Sequence, residues 1–215
     1  MDLVGLSSTR NDDGSLHIYD RRAIVFPVQG IVMADLSTSE VAALFDLDER
    51  RVRKDVEYGV FERVESPPRF DLADVVYLYT VAGIGLELNV QDRKKLHRMI
   101  VAAMRSKKSQ DVELGAYVVV KLDDAVHAVE ARLSDFEKWK KKLVERDDVL
   151  GGEPVFPRSR LAVRHIGEMV RRGASVEEIT SDYPNLSKQD VEFAKRFVAA
   201  YPRVGRPRAR EAPAR

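Results

Sequence analysis

The 215 residues contain no cysteine. That absence excludes a disulfide framework and thiol chemistry, and it removes the thiolate ligands of the usual tetrahedral zinc sites. There is also no excess of one charge: 36 Lys and Arg stand against 35 Asp and Glu, a net +1. No global field marks a nucleic-acid or membrane partner, so any basic footprint has to be local. No stretch approaches the roughly 18 uncharged apolar residues of a membrane span. The opening "MDLVGLSSTRNDDGSLHIYD" lacks the basic start and apolar run of a secretory signal. His17, His97, His127 and His165 are scattered and form no i, i+4 metal pair. Neither G-x-x-x-x-G-K-[ST] nor G-x-G-x-x-G occurs, and the carboxylates pattern as solvated helix faces rather than as a catalytic pair. These absences together lead us to expect a cytoplasmic, non-enzymatic protein without cofactor or metal ion.

What is present is enough apolar material, 44%, for one sizeable core or for two or three small ones. Residues 1–35 read as a polar arm followed by short strands broken by Pro27 and Gly30. From 36 to about 110 the period becomes helical, with Asp71 and Asn89 as N-caps of two of the helices. Residues 111–146 hold a short strand, "GAYVVVKL" over 115–122, and then a helix from Asp123 to Arg146, a candidate dimerisation element. The Pro/Gly cluster "DDVLGGEPVFP" marks a boundary near 147. Beyond it come a compact helical segment, 147–202, and a basic tail, 203–215, whose Pro, Arg and Ala content cannot build a core and is expected to be disordered. The fold class expected is therefore mainly α with a few short strands.

The stretch "LSTSEVAALFDLDERRVRKDVEYGVF" (36–61) has the grammar of a helix-turn-helix. Ser37 caps a first helix with Glu40 closing a capping box, and Val41, Leu44 and Phe45 form its inner stripe. A tight turn falls at Asp46-Leu47, where Asp tolerates a left-handed backbone. Asp48 caps a second helix on which Val52 and Val56 share one face, leaving Arg50, Arg51, Arg53 and Lys54 pointing away. These cations are either the solvated face of a surface helix or a groove-reading face, where arginine donates two hydrogen bonds to guanine and lysine neutralises phosphate. Four cations in five residues on a second helix favour DNA.

The segment resembles the start of MerR-type winged helix-turn-helix domains, in which "T-S-E-V-A" precedes a short turn and an arginine-bearing recognition helix. "GVFERVESPPRFDLADV" (59–75) is similar to the wing and the capped helix that follow. Asp46 stands where the family often has glycine. The resemblance implies a winged helix-turn-helix N-terminal domain with Arg50, Arg51, Arg53 and Lys54 toward DNA and Arg69 at the wing tip as a backbone or minor-groove contact.

Residues 151–198 parse almost position by position. Gly151, Gly152 and Pro154 fix a turn, and Phe156, Leu161 and Val163 anchor a helix carrying Ile166, Met169 and Val170. Gly173 ends that helix, and Ser175 with Glu178 boxes the next, which Val176 and Ile179 face inward. Pro184 stops it. Ser187 caps a last helix with Asp190 in its first turn and Val191, Ala194, Phe197 and Val198 as its stripe.

The order Gly151-Gly152-Glu153-Pro154, Arg158 to Arg160, Gly173-Ala174-Ser175-Val176-Glu177-Glu178-Ile179, Tyr183-Pro184-Asn185-Leu186, then Asp190 and Ala194 strongly resembles a small helical domain of bacterial antitoxins, once catalogued only as of unknown function. Arg158-Ser159 departs from the family's glycine-threonine before the arginine. With the reader in front, the chain looks like a VapB-type antitoxin with a larger DNA-binding domain. The resemblance implies a PIN-like ribonuclease toxin as partner, blocked at its acidic metal site, and autoregulation at operator DNA, with the chain acting as a homodimer. Arg158, Arg160 and the tail residues Arg203, Arg206 and Arg208 are the candidate toxin contacts, since a basic group would compete there with metal and RNA phosphate. The alternative is a MerR-like transcriptional regulator with a ligand- or protein-sensing C-terminal domain. "GRPR" (205–208) also resembles an AT-hook core, and a merely solubilising tail remains a third reading. "EKWKKKLVER", with Trp139 among lysines, is either a nucleic-acid patch or a helix end that favours cations.

Overall fold

A computed structural model describes residues 35–62, 66–85, 87–106, 111–115, 118–144, 153–157 and 159–202. They build a mainly helical structure with two small antiparallel sheets. The expected arm and strands of 1–35 lie outside the described residues but for the last, and the basic tail lies wholly outside them.

The chain enters through a two-residue strand, β1 (Leu36–Ser37), and turns at once into α1 (Thr38–Phe45). Ser37 is the cap: its Oγ accepts the Glu40 backbone N–H at 3.3 Å, and the Glu40 carboxylate accepts the Ser37 backbone N–H at 2.9 Å. Val41, Leu44 and Phe45 are buried, as their spacing predicts. Asp46 ends the helix at φ 55°, ψ 40°, the one non-glycine residue with positive φ among those described. Its short polar side chain makes that conformation accessible. Two residues on, Asp48 accepts the Arg50 backbone N–H at 2.9 Å and starts α2 (Glu49–Glu57).

Strand β2 (Arg69–Phe70) pairs with β1, Leu36 opposite Phe70 and Ser37 opposite Arg69. Asp71 then caps α3 (Leu72–Ile84) in a full box with Asp74, and Asn89 caps α4 (Val90–Ser106) by accepting the Asp92 backbone N–H at 2.9 Å. The second sheet is the hairpin β3 (Val112–Leu114) and β4 (Val118–Val120), which buries Val112, Leu114 and Val120. Only its second strand is legible in the sequence, because "VEL" is too short to show alternation.

Helix α5 (Leu122–Lys140) is shorter than the predicted 123–146. After it the backbone tightens into a turn, with Leu143 N–H donating to Lys140 O at 3.0 Å, and Val144 goes extended to exchange two 3.0 Å bonds with Val155. The β-branched Val144 is better served in that bridge than in a further helical turn. The apolar stripe of α5, Leu122, Val129, Leu133 and Phe136, faces inward.

The C-terminal trio is α6 (Val163–Arg171), α7 (Val176–Asp182) and α8 (Lys188–Ala200). Gly173 follows α6 at φ 100°, where a side chain would be strained, and Ser175 and Ser187 each close a capping box, with Glu178 and Asp190. Helix α8 packs along α6 on one side and along α1 on the other. Its Phe193 stacks on Trp139 at 5.8 Å and meets Phe136 at 5.4 Å between ring centres. One apolar cluster therefore runs from Val41 of α1 to Ala200 of α8. Phe193, which lies off the stripe read from the sequence, is an aromatic residue of α8 that joins the trio to α5.

Candidate nucleic-acid interface

Helix α2 divides its residues cleanly. Val52 is buried, Val56 is half-buried, and Asp55, with 1% of its surface exposed, goes inward with them. Asp55 is held from two sides: Tyr77 of α3 donates its hydroxyl at 3.1 Å, and Arg93 of α4 forms an ion pair at 2.8 Å. Arg93 also donates to Leu88 O at 2.9 Å. The three groups pin α2 to the two helices behind it. Burial first, then the neighbouring Asp55 carboxylate, pushes the Tyr77 phenol well above its ordinary range, so it stays a proton donor.

Opposite this anchor the cations are presented outward, but not equally. Arg50 and Lys54 are exposed and form no ion pair among the described residues, and Arg51 is half-buried on the flank. Arg53 is exposed yet tied to Glu49 one turn back at 2.5 Å. It lines a cleft of about 390 Å³ between α1, α2 and Pro67-Pro68, which also contains Glu57. Two carboxylates beside Arg53 make that part of the surface less attractive to phosphate than the end carrying Arg50, Arg51 and Lys54.

Arg69 stands within β2, opposite Ser37, and not at the tip of the preceding loop. Its guanidinium turns back to Asp35 O at 3.3 Å and Glu40 at 3.8 Å, because the strand pairing brings the α1 capping carboxylate alongside. Arg132, which the sequence did not single out, reaches from α5 to the α1–α2 turn. It donates to Leu44 O at 3.2 Å and to Asp46 at 3.4 Å, and lies 6.0 Å from the Phe45 ring centre. The turn is thereby held from behind.

A second buried polar pair backs the same region. His97 Nε2 and Asp74 Oδ1 are 2.7 Å apart, and His97 sits edge-on to Phe61 and Tyr77. The sequence offers no signal for either pair, since the partners are 22 and 38 residues apart around Asp55 and 23 apart around His97.

Of the candidate toxin contacts, Arg160 is described and exposed; Arg158, Arg203, Arg206 and Arg208 lie outside the described residues. Arg160 borders a groove of about 860 Å³ along α6 that also touches Pro202. At the end of α5, Lys142 lies 4.0 Å from the centre of the Trp139 ring. Among the described residues no group of His, Asp and Glu is placed to hold a metal ion, and no helix is long and apolar enough to cross a membrane.

Residues 144–198 match a family described as "Protein of unknown function (DUF433)". The match takes in the Val144–Val155 bridge and nearly all of α6 to α8. Over 92 residues the chain is 27% identical to the uncharacterized protein y4eO of Sinorhizobium fredii. That alignment spans 43% of this chain and 42% of the relative, so the likeness concerns less than half of either protein. Among solved structures, the crystal structure of Rv2018 from Mycobacterium tuberculosis aligns with 77% of this chain and 98% of its own, at 12% identity and a TM-score of 0.31.

Proposed function

We propose that the chain is a non-enzymatic antitoxin of a toxin-antitoxin pair that also represses its own transcription. In this reading the segment from β1 to α3 is a winged helix-turn-helix, with α2 entering the major groove of operator DNA and the β1–β2 pair beside it. The observation that carries the DNA half is the arrangement of α2: Val52 and Asp55 are locked inward while Arg50 and Lys54 face out, with Arg51 half-buried on the flank, behind a capped, left-handed turn. A helix so fixed presents its cations in one geometry, which base-edge readout requires. The partner half is supported by the family match over 144–198 and by the basic groove in that segment, and the partner proposed is a PIN-like ribonuclease. A homodimer would place two copies of α2 on two half-sites.

The test has two arms. Operator fragments from upstream of the gene should bind the full chain in a mobility-shift assay. Arg51→Ala and Lys54→Ala should each weaken binding about tenfold, as expected for a base or phosphate contact worth about 1–3 kcal/mol. Arg53→Ala should weaken it less, because that side chain is already paired. Unchanged affinity in Arg51→Ala and Lys54→Ala variants that still fold would remove α2 from the interface. In the second arm, a ribonuclease encoded beside the gene should co-purify with the chain and lose activity; failure to associate would end the antitoxin reading.

A further inference from the structure

The groove along α6 is built differently from the face of α2. Its floor is apolar, from Leu161, Met169 and the edge of Val198. Its rim is arginine, and the four guanidiniums are in two states. Arg164 is occupied, donating to Tyr201 O at 2.9 Å and lying 4.0 Å from Glu153, and Arg171 is paired with Glu168 at 2.6 Å. Arg160 and Arg172 form no ion pair among the described residues, and Arg172 acts on Glu168 only through space. The groove therefore offers two available cations above an apolar strip.

We propose that this groove is the docking surface for a partner-protein segment that carries carboxylates next to apolar side chains. The inference rests on the protein-binding half of the reading above and names the chemistry of that contact. Charge complementarity selects the occupant. A nucleic-acid backbone would offer phosphates to the arginines and leave the apolar floor unused. A small polar metabolite would call for a buried polar atom awaiting a partner. The two such side-chain atoms among the described residues, Thr80 Oγ1 and His97 Nδ1, belong to α3 and α4 and not to this groove. An acidic, apolar peptide uses both features: its carboxylates form forked bonds with Arg160 and Arg172, and its aliphatic or aromatic groups cover Leu161 and Met169.

Random dodecapeptides displayed on phage, panned against the full chain, test this whatever protein the segment belongs to. The expected result is enrichment of sequences with Asp or Glu beside Leu, Ile or Phe, bound about tenfold more weakly by the Arg160→Ala/Arg172→Ala double variant, a loss of about 1.4 kcal/mol. Both residues are exposed, so the variant should melt with the wild type; Met169→Ser gives a second, independent probe of the floor and should also weaken binding. No enrichment, enrichment without acidic residues, or peptides indifferent to the double variant would overturn the proposal. So would a double variant that loses duplex DNA while keeping its peptides. Acidic peptides that bind through the groove while no neighbouring ribonuclease does would leave the groove assignment standing and end the antitoxin reading. A ribonuclease that binds and is not displaced by the peptides would do the reverse.

Discussion

The helices before residue 110 and those after 160 are held together by different means. Around α2, α3 and α4 the interior contains polar groups: Asp55 between Tyr77 and Arg93, and Asp74 against His97. Between α6 and α8 the contact is one of shape. Gly167 lies so close to α8 that a β-carbon there would stand 2.3 Å from Val198 Cγ2 and 2.4 Å from Ala194 O. Hydrophobic contacts are non-directional, whereas an ion pair with two further hydrogen bonds has one good geometry. The region whose surface is proposed to read DNA is thus fixed in angle by polar groups, and the region proposed to bind protein is fixed by close approach. If this contrast is right, the two regions should respond differently to substitutions of similar size.

The largest effect should come where the later region meets α5. Phe193→Ala removes the ring that stacks on Trp139 and meets Phe136 and Phe197, and it should lower stability by about 3–5 kcal/mol in urea titration. A loss below about 1 kcal/mol would mean that α8 is not the joint between the trio and α5.

Next comes Asp55→Asn, which strips Arg93 of its counter-charge at a nearly dry site and should destabilise by about 3 kcal/mol. The diagnostic variant combines Asp55→Leu with Arg93→Met and with Tyr77→Phe, which removes the hydroxyl that would lose its acceptor. Replacing all three partners by apolar groups should recover most of that loss, since the penalty comes from the orphaned charge. In the recovered variant, operator binding should remain weaker than in the wild type because α2 has lost its fixed angle. Full binding would show that packing alone orients α2.

Gly167→Ala turns the same logic on the other region. In an open helix the change would favour folding by roughly 1 kcal/mol. Here overpacking against α8 reverses the sign, and a loss of about 2–3 kcal/mol is expected. A neutral or stabilising outcome in thermal melts would show that α6 and α8 can separate slightly, and the claim of shape-fixed contact would fall.

How much of this was legible differs between the regions for the same reason. Caps and stripes are local, so Ser37 with Glu40, Asp48, Asp71, Ser175 with Glu178, and the inward set Val41, Leu44 and Phe45 are all visible in spacing. Asp55 was not, because the rule that puts Val52 and Val56 inside says nothing about a carboxylate one residue before Val56 whose partners lie 22 and 38 residues away. Phe193 falls outside the stripe through Val191, Ala194, Phe197 and Val198, which accounts for one neighbour, α6, whereas α8 has buried sides facing α1 and α5 as well. The sequence points Arg69 to a loop tip because two-residue strands such as β1 and β2 carry no periodicity to read. The end of α5 was overrun for a similar reason: "KKLVER" favours a helix locally, and only the distant Val155 draws Val144 out.

The smallest effect tests the caps, the feature that both regions share. Ser175→Ala should cost about 1 kcal/mol. Glu178, its partner in the box, adds a pH signature. The Ser175 backbone N–H, followed by the Ser175 side chain, holds the Glu178 carboxyl below its ordinary value of 4.5. A carboxylate with a depressed folded-state pKa adds stability that is complete above the unfolded value and lost as pH falls through the folded one. Glu178→Gln, which keeps the shape without the charge, should therefore melt below the wild type at pH 7, with the two melting temperatures converging as the pH drops below 4.5. The Lys188-paired Glu177 shifts in the same direction and is present in both proteins, so it cancels in the comparison. A gap that persists unchanged into acid would assign the Gln effect to the shape of the box and not to its charge at the start of α7.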